Sequence, residues 1–161
     1  MDKFKRRIYP SIGAFFKDFW GILSRSREIR PLMRGQLIDP AFRERLMLVV
    51  TGVNQCRYCS YAHAREALSE GVSEAEIEAL GQGVFDGSPP EEAQALLYAQ
   101  HWAETRGAPD AEARTRIAER YGEKTVEAME LTFQMIRAGN LMGNTFDYIL
   151  YRLTFGRLGA G

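Results

Sequence analysis

Cys56 and Cys59 are the only cysteines of the 161-residue chain, and they stand in the run Cys56-Arg57-Tyr58-Cys59-Ser60-Tyr61-Ala62-His63. Two cysteines three positions apart close too small a loop to staple a fold, so the pair reads as a working dithiol, compatible with a reducing compartment. On a helix, residues three and four apart share a face. A helix beginning near Gln55 therefore lines up both sulfurs and the His63 imidazole on one side. Both cysteines then fall in its first turn, where unpaired N–H groups and the helix dipole favour an anion such as a thiolate. A free thiol ionises near pH ~8.5, and this position lowers that value by about one unit or more. His63 can take the proton or stabilise the thiolate. These residues are the minimum equipment of a thiol nucleophile with a resolving partner.

Other uses of the same residues compete with that reading. A Cys-x-x-Cys also occurs in thioredoxin-like folds, but no alternating βαβ pattern surrounds this one. A zinc site needs four ligands, or three and a water. Cys56, Cys59 and His63 give three and Glu44 a possible fourth, but there is no second Cys-x-x-Cys. Two buried structural cysteines beside a hydrogen-bonded histidine are the plainest alternative. His101, beside Trp102, has no partner at ligand spacing, and the methionines sit among apolar residues as core filling. Arg57 reads as an exposed, solvated side chain, and Tyr61 as a wall of the site or as core.

The elements that must position these residues read as helix after helix. Asp39-Pro40 is an N-cap followed by proline at the first helical position, opening a helix over 41–54. A second helix runs from about Gln55 to Glu70 and closes at Gly71. Ser73 and Glu76 form a capping box for a short helix over 74–81. Ser88, Pro89 and Glu91 repeat the signal for 89–106, closed by Gly107. Asp110 starts a helix ending near Tyr121-Gly122, and a long helical region over 123–156 carries candidate breaks at Gly139 and Gly143. Strand patterns are missing and helix formers dominate, so the chain is expected to be all-α with six to eight helices. A length of 161 residues and 45% hydrophobic content suit one such domain without a disulfide.

Twenty-one basic and twenty-one acidic residues cancel, which gives no global pull toward nucleic acid. Residues 1–30 nevertheless carry eight basic side chains against three acidic ones, a net of +5, interleaved with Phe4, Phe15, Phe16, Phe19 and Trp20. The expectation is a first helix laying an aromatic stripe on the body of the protein or on a second subunit. A membrane-surface segment is the less favoured use of the same chemistry. No stretch reaches the roughly 20 apolar residues of a membrane span, and no signal-peptide pattern is present, so a cytoplasmic protein is expected. The apolar stripe also argues for a homo-oligomer.

Glu44, Cys56, Cys59 and His63 together resemble the signature of the alkylhydroperoxidase D-like family within the carboxymuconolactone decarboxylase superfamily. That signature is a glutamate twelve positions before the first cysteine, Cys-x-x-Cys, and a histidine four residues on. Gly71-Val72-Ser73-Glu74-Ala75-Glu76-Ile77 and Asn140-Leu141-Met142-Gly143-Asn144-Thr145-Phe146 are similar to further stretches of that family. The resemblance covers about 35–150, and the organisation it implies is a basic, aromatic helical extension over 1–34 followed by a helical domain over 35–156.

The resemblance implies a peroxidase-type mechanism. Cys59 attacks a hydroperoxide, His63 acts as its base, Cys56 resolves the sulfenate into a disulfide, and Glu44 helps shuttle the proton from Cys56. No cofactor is implied beyond the dithiol, but an external reductant is needed, either a dithiol or a lipoyl-bearing protein. Tyr58 stands where the best-known peroxidase members carry a relay histidine. A helical oligomer without catalysis, acting in interaction or regulation, and a decarboxylase-like member of the superfamily remain the alternatives.

Overall fold

The computed structural model describes residues 4–159, which form eight helices and, among the described residues, no strand. The helices are α1 (Ile12–Ser24), α2 (Ser26–Met33), α3 (Pro40–Asn54), α4 (Arg57–Ser69), α5 (Glu74–Gly81), α6 (Ala93–Glu104), α7 (Ala111–Tyr121) and α8 (Glu123–Leu153). Local chemistry sets several of the starts as expected. The Asp39 carboxylate accepts the Phe42 N–H with Pro40 in the first turn, and Ser73 Oγ accepts the Glu76 N–H. Gly71 and Gly122 take the positive φ values of 87° and 82° that close one helix and admit the next.

α3 is the central element and packs against α4, α5, α6 and α8. It buries Leu46, Met47, Val49 and Val50 against Leu80 of α5, Leu96 and Trp102 of α6, and Met129 and Phe133 of α8. Each such side chain contributes about 1.5–3 kcal/mol on removal from water. The α3–α5 crossing is so close that a Cβ on Gly52 would stand 2.5 Å from the Gly81 carbonyl oxygen, so the contact demands glycine.

Three features differ from the sequence reading. α4 begins at Arg57 and not near Gln55, because Gln55 closes α3 in the left-handed conformation and Cys56 stands as the cap before the helix. α6 begins at Ala93 and not at 89, because Pro90 disfavours helical backbone at Pro89. Residues 89–92 form a turn closed by Glu92 N–H to the Pro89 carbonyl, and the buried Ser88 hydroxyl caps nothing. α8 passes through Gly139 and Gly143 unbroken. A glycine costs a helix only about 1 kcal/mol relative to alanine, and the buried face of α8 on either side outweighs that.

The segment before α1 lies along the C-terminal half of α8. The Phe4 ring meets Tyr148 and Tyr151 at 5.4 and 5.8 Å, and the Tyr9 N–H donates to Thr145 Oγ1 at 3.1 Å. α1 packs on α8 but buries none of its residues fully. Ile12, Phe16 and Trp20 on α1 and Met142, Phe146, Ile149 and Leu153 on α8 remain exposed, both sets at helical spacing. No helix among the described residues is long and apolar enough to cross a membrane.

Candidate functional site

The turn between α3 and α4 creates the site. Gln55 closes α3 in the left-handed conformation, with φ 58°, and the chain reverses so that Cys56 becomes the N-cap of α4. Cys56 Sγ accepts the Cys59 N–H at 3.4 Å, the role a serine or aspartate oxygen plays in an ordinary cap. The two sulfurs are 2.8 Å apart, joined by a hydrogen bond and within reach of a disulfide. Cys56 is fully buried and Cys59 half-buried, so of the two sulfurs Cys59 is the accessible one.

The thiols differ in charge as well as in access. Cys56 is lowered from the ordinary thiol value to about 6, first by the hydrogen bond from Cys59 and then by the N–H groups of Cys59 and Tyr58, against the cost of burial. Cys59 is pushed up, because it is the donor to Cys56 and because burial disfavours its anion, with Asn140 acting in the opposite sense. The contact thus favours the anion on Cys56 and the proton on Cys59. This reverses the simple expectation that both thiols gain equally from the first turn. Only the N-cap sulfur receives the N–H groups, and two adjacent thiolates would repel.

Glu44 and His63 form a second pair. Glu44 Oε2 stands 2.7 Å from His63 Nδ1, and Glu44 Oε1 accepts Arg43 Nε at 3.1 Å and Nη2 at 3.0 Å. Burial alone would raise the Glu44 carboxyl, but His63 and Arg43 hold it below the usual value. A carboxylate only accepts, so His63 Nδ1 carries the hydrogen and Nε2 is left to exchange a proton elsewhere. The structure therefore joins Glu44 to His63, where the expectation from the sequence tied it to the proton of Cys56.

α8 supplies the floor. A Cβ on Gly143 would stand 3.0 Å from Cys56 Sγ and 3.3 Å from Tyr58 Cδ2, and one on Gly139 would lie 4.0 Å from Cys59 Sγ. The glycines taken in the sequence as candidate breaks are the places where α8 makes room for the dithiol. Between them Asn140 donates to Thr51 Oγ1 and accepts from Asn54 Nδ2, both at 3.1 Å. One turn on, Asn144 donates to the Asn54 carbonyl at 2.7 Å and the Arg7 carbonyl at 2.9 Å.

Asp147, another turn along, is fully buried and was missed by the sequence reading. Its Oδ1 accepts Tyr58 Oη at 2.7 Å and Arg57 Nη2 at 2.8 Å, and its Oδ2 accepts Arg6 Nη1 at 2.6 Å. Arg57 is thus not simply solvated, because its half-exposed side chain ends on a buried carboxylate. A signal was present in the sequence. Asn140, Asn144 and Asp147 make a polar stripe at i, i+4 and i+7 that continues the apolar face of Met129, Phe133 and Ile136, and Gly139 with Gly143 repeats the spacing one position earlier.

An apolar pocket of about 460 Å³ lies between α1, α2 and α8, lined by Tyr9, Phe15, Phe19, Ile29, Gly139 and Met142 among others. Its wall includes Gly139, the residue that faces Cys59. Among the described residues no group of three or more His, Cys, Asp and Glu side chains converges as a metal site. Residues 30–101 match the model of the carboxymuconolactone decarboxylase family, a stretch that contains Glu44, Cys56, Cys59 and His63 but not α8. Comparison with curated proteins and with solved structures gave no match.

Proposed function

We propose, with residues 30–101 belonging to the carboxymuconolactone decarboxylase family as the premise, that the chain is a dithiol oxidoreductase that reduces organic hydroperoxides. The observation that carries this reading is the contact of an accessible thiol with a buried thiolate at 2.8 Å, four residues before a histidine oriented by a carboxylate.

Access and charge point to different sulfurs as the attacking group. Access decides, because a peroxide must reach the sulfur it oxidises. Cys59 passes its proton along the hydrogen bond to Cys56 and attacks the terminal oxygen of the hydroperoxide. The O–O bond breaks, Cys59 becomes a sulfenic acid, and the departing alkoxide leaves as the alcohol, its proton supplied through His63 Nε2. Cys56, having passed its proton through the His63–Glu44 pair to the alkoxide, attacks the Cys59 sulfur, and the expelled hydroxide takes a proton from solvent as water. One thiol, one thiolate, one hydroperoxide and one solvent proton thus become a disulfide, an alcohol and a water. A dithiol or lipoyl-bearing protein then returns two electrons and two protons by exchange through a mixed disulfide. No cofactor beyond Cys56 and Cys59 takes part.

The apolar pocket behind Gly139 supports an organic rather than an inorganic peroxide, since its lining offers an alkyl or aryl group burial and hydrogen peroxide nothing. The exposed stripes of α1 and α8 support a homo-oligomer, and the expected compartment is the cytoplasm.

The test follows both thiols by alkylation against pH, with peptide mass spectrometry, before and after one equivalent of an organic hydroperoxide. The expected result is alkylation at the accessible Cys59 and a peroxide-induced Cys56–Cys59 disulfide that blocks it. Cys59→Ser abolishes peroxide consumption. Unchanged peroxide consumption and thiol–disulfide cycling in Cys59→Ser would overturn the reading and leave the non-catalytic alternative.

A further inference from the structure

The middle residues of the Cys-x-x-Cys turn both reach the same atom. Arg57 and Tyr58 are the first two residues of α4, enclosed between the sulfurs, and both end on Asp147 Oδ1. The other oxygen of that carboxylate is held by Arg6, from the segment before α1, whose side chain is 9% exposed against 0% for Asp147. Arg6 is itself fixed, through a second guanidinium nitrogen on the Gly159 carbonyl and through the Arg7 carbonyl that accepts from Asn144. A charge so completely withdrawn from water is costly unless paired on both sides, and losing one partner leaves it uncompensated.

We infer that Arg6 and Asp147 are positioning residues for the dithiol. Asp147 clamps the turn between the two sulfurs onto α8, and Arg6 neutralises the clamp so that its charge does not oppose the Cys56 thiolate. The role rests on the oxidoreductase reading for its purpose, but not for its measurement. It places a determinant of thiol reactivity in the N-terminal extension, outside residues 30–101.

The electrostatics agree with this role. Burial would raise the Asp147 carboxyl, yet hydrogen bonds from Tyr58, Arg6 and Arg57 hold it below its usual value, so it is an anion. That anion acts on Cys56 in the direction that disfavours the thiolate. Cys59, the Tyr58 N–H and the Asp147 charge act on Cys56, Asp147 is in turn held by Arg57 and Tyr58 from α4 and Arg6 from the N-terminal segment, and Glu44 of α3 is paired with His63 of α4. Of these, Arg6 is the strongest candidate to be changed without altering the hydrogen bonds of Tyr58 and Arg57 to Asp147 or those of the sulfurs.

The experiment follows the ultraviolet absorbance of the thiolate against pH, without peroxide, in the full chain, a readout that needs no reagent to reach the buried sulfur. In Arg6→Gln the midpoint is expected to rise by about one pH unit, so that roughly tenfold less thiolate is present well below it. Arg6→Lys keeps the charge and restores most of the wild-type midpoint. In Arg6→Gln/Asp147→Asn the midpoint returns to or below the wild-type value, because no uncompensated charge remains. A midpoint in Arg6→Gln equal to that of the wild type, in a protein with unchanged circular dichroism, overturns the inference. Should Arg6→Gln fail to fold, the decision passes to Arg6→Lys against Asp147→Asn, and equal midpoints in both overturn it as well. The measurement involves no peroxide, so failure of the peroxidase reading leaves its outcome intact.

Discussion

Replacing Gly143 by alanine adds one methyl group 3.0 Å from Cys56 Sγ and 3.3 Å from Tyr58 Cδ2. Neither neighbour is free to retreat. The sulfur is fixed by the Cys59 N–H and the Cys59 thiol, and the tyrosine ring by its hydroxyl on Asp147. Overpacking of this kind costs about 1–3 kcal/mol, and a site so pinned belongs in the upper half of that range. Helix propensity returns about 1 kcal/mol when glycine becomes alanine, leaving a net loss of about 1–2 kcal/mol. Gly139→Ala is the internal control. Its Cβ meets only Cys59 Sγ, at 4.0 Å, an ordinary contact, so the propensity gain stands alone and the variant is stabilised by up to about 1 kcal/mol. Two identical chemical changes one helical turn apart are thus expected to shift stability in opposite directions. Urea unfolding measures both, and thermal midpoints should separate by roughly 4–12 °C at this chain length. Gly143→Ala should also move the onset of the pair's thiolate absorbance to higher pH, since the sulfur is pushed off its N–H donors. If Gly143→Ala proves as stable as Gly139→Ala, with the thiolate absorbance profile unaltered, the packing of α8 on the dithiol is not as described.

Glu92 is raised from 4.5 to about 7, first by burial and then by Asp39, Glu76 and Glu91, with Arg45 opposing. Folded protein keeps that proton up to about pH 7 while unfolded chain loses it near 4.5, so stability is lost as pH rises through this window. Glu92→Gln should therefore gain on the wild type between pH 5 and pH 8, by at most ~3 kcal/mol at 1.36 kcal/mol per pH unit; an equal difference at both pH values would refute the assignment. The exposed stripes on α1 and α8 should bring copies of the chain together. Light scattering is expected to give a multiple of 18.3 kDa, and Trp20→Glu with Phe146→Glu should reduce it to the monomer. A wild-type mass of one chain would remove the oligomer.

The helical fold was legible because its signals are local. Caps such as Asp39-Pro40 and Ser73 with Glu76 act within one turn and need no partner from afar, and the structure uses both. The same locality made the dithiol visible, because i, i+3 and i+4 spacing places Cys56, Cys59 and His63 together on any helix. Locality also explains the misreadings. Ser88 carried a capping pattern, but the neighbouring Pro90 governed the backbone. Gly139 and Gly143 looked like interruptions because their use lies in another element.

By itself the sequence determined that the chain is all-α and that Cys59 and His63 share one helix, with Cys56 at its start. The tertiary structure decided which sulfur is buried, that Glu44 meets His63, and that Asp147 gathers Arg6 from the N-terminal segment and Arg57 and Tyr58 from α4. The reason is physical. Helical spacing, and the N–H groups that favour the anion on Cys56, follow from the chain's own local geometry, whereas burial and the partners Asn140 and Asp147 come from α8, more than eighty residues away in sequence.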